Sequence, residues 1–328
     1  MTSNDLSNND FTNHPLVTVG ITCFNASDTI GRAIKSAINQ HWVNLEVVVV
    51  DDCSTDNSVE IIQSFIKLDP RVKLICHENN QGCSSARNTI LDNANGEYIA
   101  FFDDDDVSQS DRILRQIKHI FSYEEQHGTK DIACYCSGNR IYPNGYIKKL
   151  VAIGSNGKPL FGESVANYLL FNNKHNDYEY GAGTPTCSLM ISTSLLKSIG
   201  GFDESLRRQE DIDLAIRLAF IGCHFTGITE PALSQYATLG SEKSAVVEYE
   251  STLVLIEKYK DYLLHHNSYF YIKLWTELRY RHFAGNDGLA VLVLMKLLLK
   301  YPLRTVKHFI NSAFARFIHE RKMRANHE

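Results

Sequence analysis

The sequence predicts an α/β protein: a mostly parallel central sheet with helices on both faces, followed by a C-terminal helical segment. Three observations carry this. Short runs dense in Val and Ile recur along the first hundred residues, apolar at successive positions as in strands buried on both faces. Stripes of helical period separate them, and strands alternating with such helices form parallel sheets. From about Val246 to the end the pattern is nearly all helical. A polar leader, 1–15, a core of 16–240 and a helical region of 241–328 follow from these boundaries.

The elements read in order. VTVGITC (17–23) and LEVVVVD (45–51) are the first two strands, and RVKLICH (71–77) and EYIAFFD (97–103) the next two. Between the first pair, Ile30, Ala33, Ile34, Ala37 and Ile38 mark a helix with Ser27 or Asp28 placed to cap it. Ile61, Ile62, Phe65 and Ile66 mark the second helix, opened by STDN at 54–57. A third helix runs from near Ser84 to about Ala94, and a fourth from about Ser110 to Gln126, ahead of a strand near 132–137. The stretch 138–183, rich in Gly, Asn and Tyr, reads as variable loops. Regular structure returns at TCSLMIS (186–192) and Leu195–Gly200.

Composition excludes several classes. Of 328 residues, 33 are Lys or Arg and 38 Asp or Glu, a net charge of −5, so no basic field recruits nucleic acid. Residues 1–15 lack Lys, Arg and an apolar run, which reads as a disordered leader and not a secretory signal. The longest strongly apolar stretch, Leu289–Leu299, holds 11 residues, including Lys296. A spanning helix needs roughly 20. Eight scattered cysteines, with no C-x-x-C, read as reduced structural thiols in a cytoplasmic protein.

In parallel sheets, ligands gather at the carboxyl ends of the strands. Those ends carry Thr22-Cys-Phe-Asn25, Asp51-Asp52 and the run Asp103-Asp104-Asp105-Asp106. Four carboxylates in one turn repel one another unless a cation or donors compensate. Hard oxygen ligands on a strand-end turn suit a divalent ion, with water or phosphate completing its shell. No P-loop and no G-x-G-x-x-G follows a strand, so a phosphate would be held through metal and side chains.

VTVGITCFNASDTI, VVVVDDCSTDNS, NNQGCSSARN, EYIAFFDDDD, CSLMISTSLLKSIGGFDE and RRQEDIDLAIRLA, in this order over about 16–235, resemble the inverting family-2 glycosyltransferases of GT-A fold. The resemblance implies that the core, 16–240, is the catalytic domain. It implies a nucleotide pocket lined by Thr22, Phe24 as a stacking aromatic, and Asn25. Asp52 would accept hydrogen bonds from the base, typically a uracil, and Arg87 and Asp104 would lie near the nucleotide. Asp103 and Asp105, foremost Asp105, would bind Mn²⁺ or Mg²⁺. Asp211 would be the catalytic base, with Glu210 on the acceptor side. Simpler roles stand beside these: Asp52 could cap the helix that starts in 54–57, and Glu210-Asp211 could be ordinary acids of a helix N-terminus.

The implied reaction moves one sugar from a nucleoside-diphosphate sugar, typically a UDP-sugar, to a hydroxyl of a glycan or lipid-linked acceptor in bacterial surface polysaccharide assembly. The alternative is a catalytically silent nucleotide-sugar binder or assembly subunit. A sugar nucleotidyltransferase would need a glycine-rich basic loop where CFNASD stands. The Q-x-x-R-W signature of processive members is absent, which implies a single transfer per encounter. The loop 234–244 has no His to close over the diphosphate; Lys243 is the candidate there. Between Lys296 and Arg324 stand eight Lys or Arg against one acid, Glu320, with Val306, Phe309, Ile310, Phe314 and Phe317 at helical spacing. This reads either as a basic amphipathic helix on the anionic inner leaflet or as a helix packed on the catalytic domain or on a second subunit of a homodimer.

Overall fold

β-Branched residues dictate the first layer of the structure, a computed structural model that describes residues 14–237 and 245–310. β1 (Val17–Cys23) and β2 (Leu45–Asp51) are buried almost throughout, as their unbroken apolar runs require. α1 (Ile30–Ile38) joins them, α2 (Ser58–Leu68) leads to β3 (Val72–Cys76), and α3 (Cys83–Asn93) leads to β4 (Tyr98–Asp103). Then come β5 (Val107–Ser108), α4 (Arg112–His127), β6 (Ile132–Ile141), β7 (Ile147–Leu150), β8 (Leu160–Phe161) and α5 (Glu163–Phe171). β9 (Leu189–Ser192), α6 (Thr193–Ser198), α7 (Glu210–Phe220) and β10 (His224–Tyr236) follow. The helices α8 (Ala245–Lys258), α9 (Lys260–His265), α10 (Tyr269–Phe283) and α11 (Asp287–Lys300) come last.

The chain forms two units. One comprises the chain up to Tyr135 together with Thr186–Gly201; the other comprises Cys136–Pro185 and the chain from Phe202 onward. Compactness thus divides the chain along other lines than a break near 240.

In the first unit the strands lie in the order β3-β2-β1-β4-β9-β6. β3, β2, β1 and β4 are parallel, and β9 runs antiparallel to β4 and β6, so the sheet is mixed. The chain steps from β1 outward to β3 and returns through α3 to β4 on the other side of β1. That reversal is a topological switch point, and it opens a crevice at the carboxyl ends of β1 and β4. Register sets Thr22 beside Asp103 there. Gly20 makes the packing possible: a Cβ on it would lie 2.5 Å from Ile90 of α3. The core joins Val19, Ile21, Val47, Val49, Ala100 and Phe102 to Ile30, Ile34 and Ile62 of the helices. Each of the Val, Ile and Phe side chains is worth about 1.5–3 kcal/mol on burial.

Three expectations change. α1 takes no side-chain cap from Ser27 or Asp28; its N-cap is Thr29, and the Ala26 carbonyl receives the N–H groups of Thr29 and Ile30. The backbone turn already satisfies donors that a cap would serve. His14 and Pro15 do not belong to a disordered leader: the Trp42 indole donates to the Pro15 carbonyl at 3.1 Å and Asn44 donates to that of His14. The rest of the leader, 1–13, lies outside the described residues. The loops expected in 138–183 contain β7, β8 and α5, whose short runs carry little periodic signal.

In the second unit the distal part of β6 forms a hairpin with β7, Gly138 facing Leu150, and β10 pairs with β8. The helical pattern after 246 holds through α8–α11. Their apolar faces join α5 and α7 in one core around Leu170, Ile216, Ile256, Leu263, Tyr271 and Leu297.

Candidate active site

The loop after β1 is stitched to the loop after β2 and to the start of α2 by five hydrogen bonds, one of them from Thr55 Oγ1 to Asn25 Oδ1 at 3.3 Å. Asn25 N–H donates to Ser54 Oγ at 2.9 Å, and Thr55 N–H returns to Asn25 Oδ1 at 2.8 Å. Ala26 N–H reaches Ser58 Oγ at 2.9 Å and Ser27 N–H reaches Asp56 at 3.0 Å. Burial would raise the pKa of Asp56, but its bonds from Ser58 and Ser27 outweigh it and hold the group at about 2. Asn25 itself adopts φ +50°, a left-handed conformation that Asn tolerates better than most residues. The loop thereby presents Phe24, 37 % exposed, at the crevice. Phe24 is no core residue; its ring is open to a stacking partner.

Opposite stands the acidic turn. Phe24 N–H donates to Asp104 Oδ2 at 3.2 Å, which ties the two strand ends together. Burial, and then the charge of Asp103, push Asp104 up to about 7. The Asp105 carbonyl receives the Arg32 guanidinium. Arg87, buried on α3, reaches Asp103 at 3.7 Å. The turn is supported from below by Arg112, fully buried, which bonds the Phe101 carbonyl, Ser108 and Gln116.

Asp103, Asp106 and Cys187 each offer a ligand atom within 4.8 Å of the other two. The two carboxylates fit a hard divalent ion; the thiol, a soft donor, fits Mn²⁺ or Mg²⁺ poorly. Asp103 is shared with the expected pair, and Asp105 is not in this trio. Sequence reasoning missed Cys187, which a short 3₁₀ turn at Thr186–Ser188 brings to the acidic turn from 81 residues beyond Asp106.

Asp52 is 4 % exposed and its carboxylate is already engaged. Oδ1 lies 2.7 Å from His77 Nδ1 and receives Gln81 N–H at 2.9 Å; Oδ2 receives Gly82 N–H at 2.7 Å. Gly82 is the N-cap of α3 and adopts φ +90°, which glycine permits. Asp52 therefore anchors the start of α3, not the α2 start that its sequence position suggests. The helix it fixes carries Arg87.

In the second unit, Glu210 and Asp211 open α7 with Asp213 in the same turn, complementing the helix dipole. Asp211 Oδ1 accepts Ile212 N–H at 2.8 Å. Asp213 is fully buried, bonded by Arg217 Nε at 2.8 Å, Lys258 Nζ at 2.7 Å and the Tyr259 hydroxyl at 2.7 Å. Lys258 also pairs with Asp203 at 2.5 Å. Gln209, left-handed at φ +69°, donates to Glu248 of α8 at 3.1 Å. The turn that presents Glu210 and Asp211 is thus clamped to α8 from both ends.

The model of the family described as "Glycosyl transferase family 2" matches residues 18–189. The chain belongs to that family. The matched segment runs from β1 to the start of β9, so it contains the acidic turn, and Asp211 lies beyond it. Among family-2 relatives, the succinoglycan biosynthesis protein ExoO of Rhizobium meliloti is 35 % identical over 207 residues, covering 62 % of this chain and 56 % of ExoO. The chain spans about half the length of the first curated relatives it matches. Staphylococcus aureus TarS in complex with UDP-GlcNAc superposes with TM-score 0.58 at 19 % identity, covering 90 % of this chain and 78 % of TarS. A mannosyltransferase of Pyrobaculum calidifontis, in complex with GDP-Man and Mn²⁺, gives 0.54 at 18 %, covering 90 % and 83 %. These likenesses establish the GT-A fold. No helix among the described residues is long and apolar enough to cross a membrane. Lys243 and the basic segment beyond Ile310 lie outside the described residues.

Proposed function

We propose that this chain moves one sugar from a nucleoside-diphosphate sugar, a UDP-sugar, to a hydroxyl of a glycan or lipid-linked acceptor with inversion at C1, in bacterial surface polysaccharide assembly. One observation carries the reading: the switch point between β1 and β4 brings an exposed aromatic, Phe24, together with the acidic turn and Arg87. An aromatic that stacks a base, beside carboxylates able to recruit a divalent ion, is a donor site for a nucleotide diphosphate. Thr22 and Asn25 shape its wall. Asp52 acts on the donor through the placement of α3 and Arg87.

Asp103 would hold Mn²⁺ or Mg²⁺ with Asp106 or Asp105. When bound, the ion neutralises charge developing on the departing diphosphate. Arg87 adds a fixed positive charge. Asp211 would take the proton of the acceptor hydroxyl, a poor nucleophile at neutral pH, while Glu210 orients the acceptor. In-line attack opposite the leaving group inverts C1 in one step. Nothing in this scheme requires a second transfer without release. The catalytic domain of the scheme spans 16–240.

The helical region would meet the acceptor at the cytoplasmic leaflet. α11 leaves Leu289, Leu292, Met295 and Leu299 exposed beside Lys296 and Lys300, which suits an anionic lipid surface better than a second subunit.

The test is hydrolysis and transfer of UDP-sugars in the presence of Mn²⁺. Asp211→Asn should lower turnover about 10²–10⁴-fold while donor binding persists. Asp103→Asn and Asp105→Ala should weaken both donor binding and turnover. A chain that binds the donor but turns it over equally with and without Asp211 would remove the base assignment. One that binds no nucleotide sugar would remove the transferase reading.

A further inference from the structure

The second unit holds a cavity of about 410 Å³, lined among others by Asn172, His266, Ser268, Arg304, Lys307 and His308. Every lining residue belongs to that unit, and no carboxylate lines the cavity among the described residues. Residues 302–310 are helical, so Arg304, Lys307 and His308 share one face. Arg304 is half-buried. Its guanidinium donates to two neutral groups, the Asn267 carbonyl at 3.4 Å and Ser268 Oγ at 3.0 Å, and lies 4.1 Å from the Tyr271 ring centre. No ion pair ties Arg304 or Lys307 to a carboxylate among the described residues. A guanidinium carries five donors, and burying it without a counter-charge is costly. His266 adds a buried Nε2 with no hydrogen-bond partner among the described residues. Burial, and then the charges of Arg304 and Arg279, push His308 down to about 4.

We propose that this cavity binds a phosphate group, the anion whose several oxygens and double charge match a guanidinium fork, an ammonium and amide donors converging without an acid. The neighbouring face of the same helix points to what carries the phosphate. Leu303 is 87 % exposed, and Val306 and Ile310 stand exposed at helical spacing from it. A phosphate joined to a hydrocarbon tail would meet both faces at once; a soluble phosphate or diphosphate would meet only the cavity. Identifying that phosphate with a lipid-linked acceptor rests on the transferase reading, whereas the phosphate site does not.

The experiment uses the full chain with metal removed by chelation. One arm titrates inorganic pyrophosphate by calorimetry. The other measures co-sedimentation with phosphatidylcholine vesicles with and without phosphatidic acid. The wild-type chain should bind in at least one arm: pyrophosphate binding identifies a soluble-phosphate site, and binding only to phosphatidic acid vesicles identifies a headgroup site. Arg304→Gln should weaken that binding tenfold or more, and the exposed Lys307→Glu, whose fold is not at risk, should do the same. Lys67→Glu, exposed on α2 of the first unit and so outside both the cavity and the α11 face, controls for diffuse attraction to the vesicle. Absence of binding in both arms overturns the proposal, as does equal binding by Lys307→Glu, or an equal loss in Lys67→Glu. UDP-sugar hydrolysis by the same variants should be unchanged, so failure here is distinguishable from failure of the donor site.

Discussion

Replacing Asp52 with Ala separates two roles for this carboxylate. If its purpose were only to meet a base, removing it would weaken donor binding and leave the fold intact. The structure requires more. Its carboxylate accepts from two backbone N–H groups at 2.7 and 2.9 Å and pairs with His77 at 2.7 Å, all in a 4 % exposed position. Hydrogen bonds to a charged acceptor are worth about 1.5–3 kcal/mol each. Water entering the vacated space would restore part of this, since the two amides sit at a helix start. A loss of about 3–5 kcal/mol remains, as for breaking other buried charged clusters. Asp52→Asn keeps one acceptor oxygen but turns an amide NH₂ toward an N–H, and should fall between Ala and wild type. Urea unfolding at neutral pH measures both, with equal m-values confirming a common denatured state. A cost below about 1 kcal/mol for Asp52→Ala would refute the reasoning. Donor affinity should fall with stability, because α3 carries Arg87.

Two further outcomes follow from buried acids. Burial would raise the pKa of Glu46, but hydrogen bonds from Lys73, Asn95 and Thr18 hold it at about 2, below its ordinary 4.5. Its contribution is therefore complete above pH 4.5 and is lost as pH falls through 2, with a ceiling of about 3 kcal/mol. Acid titration of unfolding free energy should be flatter over that window in Glu46→Gln. Asp213→Ala would leave Arg217 and Lys258 without their buried partner and should cost about 3–5 kcal/mol by urea unfolding. Turnover should fall in the same variant, because the α7 turn that presents Asp211 loses its clamp to α8. An Asp213→Ala chain as stable as wild type would show the cluster to be incidental.

Much of the fold was legible because burial on both faces leaves a simple mark. The unbroken Val-rich runs of β1 and β2 could belong to little else, and the helical stripes between them fixed a parallel arrangement. The acids at the strand ends were legible for the same reason, since topology sends ligands to those ends. The resemblance to family 2 holds for the first four of the six motifs and the start of the fifth, which, Val17 aside, lie within the segment 18–189. The short pieces β7, β8 and α5 were not legible, because pairing with distant strands, not local pattern, creates them.

The linear chain determined which residues could be strands, where negative charge would crowd, and that a cation or donors must answer it. Those are consequences of covalent neighbours and of period. Only folding decided that Asp52 serves a helix 30 residues away, that Cys187 joins Asp103 and Asp106, and that Asp213 meets Tyr259 across 46 residues. A hydrogen bond or an ion pair acts over a few ångströms, and distance along the chain says almost nothing about distance in space.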